Sequence, residues 1–445
     1  MTHRFPIHPA AVVALAFLGT IVLGTGLLML PWASASGQSA PWLTALFTAT
    51  SAVCVTGLVV VDTGSYWSPL GQVMVMGLFQ LGGFGMMTSA TLMGLLIGGH
   101  LKLRTRMLLQ TETHALSMGD VRSVARTVLL VTLVCEGSVA LWLTARFALH
   151  DGVALGEALW LGIFHAISAF NNAGFSTWPD SVMRHVGDAW VLGPLMLAIV
   201  VGGLGFPVLS EVLARQRNPQ ARWSIHATLT LWGTLSLIVL GTLVIWLVEF
   251  DNPRTLGGLG WPQQGLAAMF TSVSARTAGF NAVDIGALKL ESLMLHYVLM
   301  FIGGGSGGTA SGVKVTTFFV LLLVVWSEIR GQRDVEFRGR RIGHAVQRQA
   351  VSILVLSGAA VALGLLLIIP LAPLPLEQLV FEVVSAFGTV GVSTGITADL
   401  PPLAQGVLMV LMYTGRVGVV TLALALAINQ VPRAYRFPEE KPIVG

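Results

Sequence analysis

Four short loops that end in glycine carry the chemistry this sequence can offer. They read Val53, Cys54, Val55, Thr56 and Gly57; Phe170, Asn171, Asn172, Ala173 and Gly174; Ala275, Arg276, Thr277, Ala278 and Gly279; and Phe387, Gly388, Thr389, Val390 and Gly391. Each follows a Ser-Ala or related start, at Ser51, Ser168, Ser274 and Ser385, and successive end glycines lie roughly 110 residues apart, so the period describes the whole chain. A cation that sheds its water needs several oxygens in return, and rings of backbone carbonyls supply them without net charge. Glycine accepts backbone angles other residues resist, which lets consecutive carbonyls turn the same way. Four such loops in register point to one carbonyl ring.

Other chemistries lack their residues. There is no His-Glu-x-x-His, no Gly-x-Ser-x-Gly and no pair of intramembrane carboxylates, and the isolated His165 and His296 read as packed or vestibular. The two cysteines, Cys54 and Cys135, give neither a disulfide framework nor a metal cluster.

The elements that position the loops belong to a membrane protein. Over 445 residues, 54% are hydrophobic and only 10% charged, with 51 glycines, against about 25% charged in an ordinary soluble domain. Each quarter reads as a span, a short re-entrant helix, a loop and a return span. The first quarter gives Ala10–Leu30, Pro41–Ala52 and Leu70–Ile97; the second gives Thr127–Ala148, Leu155–Ala169 and Trp190–Leu213. The third spans Leu229–Val248 and Leu293–Trp326, and the fourth gives Val351–Ile369, Leu376–Phe387 and Leu403–Ile428. A re-entrant helix is too short to cross, and its carboxyl end favours a cation at the loop. The expected units are a first repeat over 1–100, a linker over 101–125, a second repeat over 126–214 and a linker over 215–224. A third repeat over 225–327, a linker over 328–349, a fourth repeat over 350–430 and a tail over 431–445 complete the chain.

Charge sets the orientation. The formal net charge of +4 could hint at nucleic acid, but the basic residues collect between repeats, as at Lys102, Arg104, Arg106, Arg215, Arg217, Arg338, Arg340, Arg341, Arg433, Arg436 and Lys441. Acidic residues such as Asp62, Asp151, Asp180, Asp251 and Asp399 flank the loops on the other side. The positive-inside rule then puts both termini and the inter-repeat linkers in the cytoplasm, with the bilayer as partner and no nucleic acid.

Four polar features stand in the spans or their loops. Glu136 is either functional or a carboxyl hydrogen-bonded between helices, and Asn171 and Asn172 are expected to brace their loop from behind. The third return span is interrupted by Gly303, Gly304, Gly305, Ser306, Gly307, Gly308, Thr309, Ala310, Ser311 and Gly312, followed by Val313 and Lys314. Each glycine weakens a helix by about 1 kcal/mol relative to alanine, so this span is broken. Arg416 lies deep in the fourth return span, where burial costs at least about 2.5 kcal/mol without a partner. Carbonyls of the broken segment, with Ser306 or Thr309, are candidate acceptors.

The stretches Val55 to Leu58, Val61 to Gly64, His165 to Ser176, Arg276 to Asn281, Thr309 to Thr317 and Ser385 to Gly391 together resemble the Trk/Ktr/HKT superfamily of potassium transporters over essentially the whole chain. The likeness is nearest to the membrane subunit of bacterial Ktr systems. It implies an all-α polytopic fold of four helix–pore helix–helix repeats, with eight spanning and four re-entrant helices in pseudo-fourfold arrangement around one pathway. It further implies potassium as the substrate held at the filter carbonyls, with sodium admitted as an activator and no covalently bound cofactor. The implied gate is the Gly303–Gly312 segment, with Lys314, meeting Arg416. A homodimer, a cytosolic nucleotide-binding RCK ring that carries the only nucleotide, and a bacterial cytoplasmic membrane location are implied as well. Cys54 departs from the hydroxyl residue the pattern favours before Val55. A transporter of the same build preferring sodium or ammonium, and more weakly an intramembrane enzyme, stand as alternatives.

Overall fold

The computed structural model of the protein describes residues 9–99, 118–220, 222–419 and 421. The basic residues Lys102, Arg104 and Arg106, and the tail over 431–445, lie outside the described residues.

Each quarter contains one short helix that begins where proline or an extended residue stops the preceding chain. These are Trp42–Val53 after Pro41, Leu155–Asn171 after Ala154, Trp261–Ser274 with Pro262 in its first turn, and Leu376–Gly388 after Pro375. Proline fits there because the first helical N–H groups have no partner in any case. With 12 to 17 residues they measure about 18–25 Å, short of a bilayer core. Each buries a phenylalanine completely, at Phe47, Phe164, Phe270 and Phe381, and the second and fourth bury another, Phe170 and Phe387.

Among the described residues, four helices are alone long and apolar enough to cross a membrane: Ala11–Leu28, Arg126–Leu149, Ile225–Glu249 and His344–Ile368. They are the first helix of each quarter. Most of their surface is exposed apolar side chain, as at Leu23, Leu141, Trp232 and Leu366, which lipid accepts and water does not. The return elements lie inside them. The return helix of the first quarter, Pro69–Gly99, packs on the second short helix; Ala189–Leu204 packs on the third; Leu290–Phe301 on the fourth; and Pro402–Val417 back on the first. The packing therefore closes on itself.

Two return elements, the second and the fourth, depart from the continuous spans expected. In the second quarter the helix stops at Leu204, Gly205 adopts φ +91°, and Phe206–Arg217 leaves at 101°. The cause is local: Gly202, Gly203 and Gly205 weaken the helix, and Pro207 starts a new one. In the fourth, the helix stops at Val417 with Gly418 at φ +88°, inside the expected span, whose residues 420 and 422–428 lie outside the described residues. In the third, helices Leu290–Phe301 and Val315–Ile329 flank the expected break. One small sheet qualifies the all-α expectation, a two-residue hairpin pairing Glu336–Phe337 with Arg340–Arg341.

Candidate functional site

The four glycine-ended loops come together at the carboxyl ends of the short helices, and they share one backbone pattern. The residue two before each end glycine has positive φ: Val55 at 56°, Asn172 at 58°, Thr277 at 74° and Thr389 at 48°. The end glycines have it too, with Gly57 at 94°, Gly174 at 70°, Gly279 at 82° and Gly391 at 89°. Left-handed backbone is costly for β-branched residues such as Val55, Thr277 and Thr389, on the order of 1–3 kcal/mol each, and such strain collects at functional sites. The alternating hand turns successive peptide planes the same way.

The repeated serine holds this shape. Its carbonyl accepts from the residue before the end glycine in every loop: Thr56 N–H to Ser51 at 2.8 Å, Ala173 to Ser168 at 2.8 Å, Ala278 to Ser274 at 3.0 Å and Val390 to Ser385 at 2.8 Å. The hydroxyls add a second tie. Ser168 Oγ donates to Phe175 O at 2.7 Å, Ser274 Oγ donates to Phe280 O, and Ser385 Oγ donates to Val392 O at 2.6 Å. Ser51 Oγ and Ser385 Oγ each accept from the end glycine, Gly57 or Gly391, at 3.1 Å. The serines were visible in the repeat, but a small helical serine alone does not announce this role.

The loops form a closed ring. A side chain on Gly57 would place its Cβ 2.5 Å from Ala173 O of the second loop; on Gly174, 2.9 Å from Ala278 O of the third; on Gly279, 2.7 Å from Val390 O of the fourth. A Cβ on Gly391 would strike Thr56 O of the first. Four carbonyls and four glycines thus alternate, and no side chain larger than hydrogen fits between them. The hydroxyls of Thr56 and Thr389 are buried without a protein partner. On one side of the ring lies a cavity of about 330 Å³ lined by Asp62, Ser176, Trp178, Asn281 and Thr397 among others.

The broken segment sits at the opposite side. Gly303 N–H donates to Val313 O at 2.8 Å, Val313 N–H to Phe301 O at 3.2 Å and Val315 N–H to Gly304 O at 3.0 Å, so the loop is tied at its neck. Its body rests on the break in the second quarter, through Gly305 N–H to Gly203 O, Thr309 N–H to Gly202 O and Phe206 N–H to Gly307 O. The Thr309 hydroxyl donates to Phe170 O at 3.2 Å, four residues before Gly174.

Arg416 reaches this loop. It is 1% exposed, and its guanidinium donates to Thr309 O, to Ser311 Oγ at 2.9 Å and to Gly82 O of the first return helix at 2.9 Å. No carboxylate is among these partners. The expected acceptor Ser306 is not one; its hydroxyl lies 3.5 Å from Thr316 Oγ1 instead. Thr309 contributes its carbonyl, and Ser311 is the hydroxyl that the sequence did not single out. Lys314 Nζ donates to Ala310 O at 2.6 Å, at the loop's end. Close approach explains the glycines around it: a Cβ on Gly82, Gly202 or Gly415 would strike Val53 O, Phe170 O or Phe387 O, the same position of three loops.

Two loop residues point elsewhere. The Arg276 guanidinium turns away to Thr234 O at 3.3 Å and to Gly303 O at 3.3 Å, the first residue of the broken segment. Asn171 Nδ2 donates to Gln80 Oε1 and, at 3.0 Å, to Glu136 Oε1, while Gln80 Nε2 donates to Glu136 Oε2 at 3.3 Å. Glu136 is therefore a carboxyl hydrogen-bonded between helices, and Asn171 ties the end of its short helix to it. Cys54 is buried and free at the end of the first short helix. His165 stacks on Trp178 at 4.2 Å and meets Ser176 Oγ at 3.0 Å, and His296 is buried against Ser292 O. Among the described residues, no group of His, Cys, Asp and Glu could hold a metal ion.

Comparison with known proteins places this geometry in context. The sequence profile of the TrkH family, described as a cation transport protein, matches residues 8–434. The chain is 39% identical to the Ktr system potassium uptake protein B of Bacillus subtilis, over 98% of this chain and 97% of that protein. It is 34% identical to the potassium/sodium uptake protein NtpJ of Enterococcus hirae, over 99% and 98% respectively. The fold is like that in the crystal structure of the potassium transporter TrkH from Vibrio parahaemolyticus, with a TM-score of 0.76 at 19% identity, covering 96% of this chain and 87% of that one.

Proposed function

The chain belongs to the TrkH family of cation transport proteins, and from that premise we propose that it carries potassium across the bacterial cytoplasmic membrane through the ring of loop carbonyls. It is a multi-pass membrane transporter, not an enzyme. The observation that carries the potassium reading is the closed alternation of Gly57, Gly174, Gly279 and Gly391 with carbonyls of neighbouring loops. Uncharged oxygens at fixed positions replace a hydration shell, and the short helices direct the negative ends of their dipoles at them.

The finer reading has eight crossings and four re-entrant helices in pseudo-fourfold arrangement, supported by packing in which each return helix meets the next short helix. The 303–312 segment with Arg416 is the gate: a fixed positive charge in a cation pathway repels the permeant ion, and its hydrogen bonds hold the segment beneath the ring. Both termini face the cytoplasm, where a homodimer meets a nucleotide-binding RCK ring. The name of the Bacillus subtilis relative, a protein of a Ktr system, supports a partner subunit.

Flux into proteoliposomes of purified protein, comparing potassium, rubidium, sodium and ammonium, tests the substrate. Potassium and rubidium uptake should exceed sodium uptake by at least tenfold, about 1.4 kcal/mol in relative barrier. A second reading, comparable sodium transport, is favoured by the likeness to the potassium/sodium uptake protein of Enterococcus hirae. Equal sodium and potassium rates would replace the first reading with it, and faster ammonium would reject both.

A further inference from the structure

A cavity of about 460 Å³ opens between the first turns of three helices, Ile225–Glu249, Val315–Ile329 and His344–Ile368, and reaches the gate segment at Ser306 and Lys314. Its polar lining is rich in donors and holds no carboxylate among the described residues; Gln349 and Ser306 add an amide and a hydroxyl. Lys314 and Arg341 bring positive charge, and Thr316 and Thr317 bring hydroxyls. His226 also faces it, and its Nε2 is buried with no hydrogen-bond partner. Lys314 spends one donor on Ala310 O. Arg341 pairs through Nε with Asp334 at 2.8 Å, outside the lining, and a terminal nitrogen meets His344 Nε2 at 3.2 Å. The remaining lining is aliphatic, from Leu229, Val320, Val346 and Ile353 among others.

Excess donors beside aliphatic surface select an anion that carries an apolar tail. A free anion leaves the aliphatic lining wet, and a neutral lipid leaves the cations without a partner. The starts of Ile225–Glu249 and His344–Ile368 adjoin the basic linkers that the proposed orientation puts at the cytoplasmic leaflet, where basic pockets between membrane helices take phosphate headgroups, while the start of Val315–Ile329 carries the cavity inward to the gate segment. We propose that this cavity binds an anionic phospholipid, its phosphate between Lys314 and Arg341 and its acyl chains along Val346 and Ile353. A lipid seated there touches the gate segment, so the anionic lipid content of the membrane biases gating. The location rests on the orientation proposed above, but binding in detergent does not, so failure of one is separable from failure of the other.

The test is a titration of the purified full chain, in neutral detergent, with phosphatidylglycerol or phosphatidylcholine of identical chains, read by native mass spectrometry. Phosphatidylglycerol should be retained at least fivefold better. Arg341→Gln should weaken its retention about fivefold, the share of one cation near an anionic group. Asp334→Asn, which removes the competing carboxylate, should not weaken it. Val346→Trp, at a half-exposed position that tolerates bulk, should block retention by filling the cavity, and glycerol phosphate without chains should fail to displace the lipid. Equal retention of the two lipids, or wild-type retention by both Arg341→Gln and Val346→Trp, would overturn the proposal. Displacement by glycerol phosphate at equal concentration would reject the lipid in favour of a free anion.

Discussion

Gly391 has no space for a methyl group, because a Cβ there would strike Thr56 O of the neighbouring loop and its φ is +89°. Gly391→Ala should therefore lower the unfolding temperature and reduce potassium flux together, since strain alone costs on the order of 1–3 kcal/mol. Gly57 has slightly more room, 2.5 Å to Ala173 O. Gly57→Ser forces the neighbouring carbonyl to shift, so it should lower the unfolding temperature, though less than Gly391→Ala, and in the inserted protein raise sodium permeation relative to potassium, measured by reversal potentials; an unchanged ratio would count against the carbonyl ring as the filter. Ser385→Ala removes the acceptor of Gly391 N–H and the donor to Val392 O. At about 1 kcal/mol per hydrogen bond it should cost roughly 2 kcal/mol, read from thermal unfolding in detergent. The glycine column was legible because few other residues tolerate such angles, so their spacing survives as a pattern. The Arg276 side chain was not legible: its place in the loop offers a backbone carbonyl to the ring and is silent on the guanidinium, which turns to carbonyls at Thr234 and Gly303.

The broken segment behaves as an element, not as a slack string of glycines. Its neck is closed by Gly303, Val313 and Val315, and its body leans on Gly202, Gly203 and Phe206. Arg416→Ala removes the guanidinium's bonds to Thr309 O, Ser311 Oγ and Gly82 O while leaving the neck intact. It should raise flux several-fold, and hydrogen exchange should quicken at Thr309 more than at Gly303 or Val313. Normal flux with uniform protection would move the gate elsewhere. The short helices and the third-quarter break were readable because length, proline and glycine density act locally. The bend at Gly205 was hidden in an unbroken apolar run, since apolar composition reports burial or lipid contact and is silent on direction. It becomes intelligible only beside the loop it supports: a Cβ on Gly205 would strike Ser306 O.

Across the whole molecule, the loop-flanking surface is held by ion pairs that the membrane does not protect. Arg146 bridges Asp151 at 2.8 Å and Asp188, and Arg184 holds Asp180 at 2.6 Å. Burial alone would raise the Asp151 and Asp180 carboxyls, but the hydrogen bonds and charge of Arg146 and Arg184 outweigh it and hold both below the ordinary aspartate value. Their stabilisation is fully present above the unfolded value of about 3.9 and is lost as pH falls through the lowered folded values. Unfolding temperature should therefore drop below about pH 4, and less steeply in Asp151→Asn. On the opposite face, neutralising Arg338, Arg340 and Arg341 together should reduce co-purification with a cytosolic RCK ring; undiminished capture would exclude those charges from the docking surface. The ring of loops also has a direction of travel. Every end glycine presses on the carbonyl of the next loop in chain order, and the fourth presses on the first. A single codon change alters one quarter of the ring rather than all four, as it would in an assembly of identical subunits. Inherited variation can therefore alter the ring one loop at a time, and each change presses on the adjoining loops, so substitutions at adjacent glycines should combine non-additively while opposite ones combine more nearly independently.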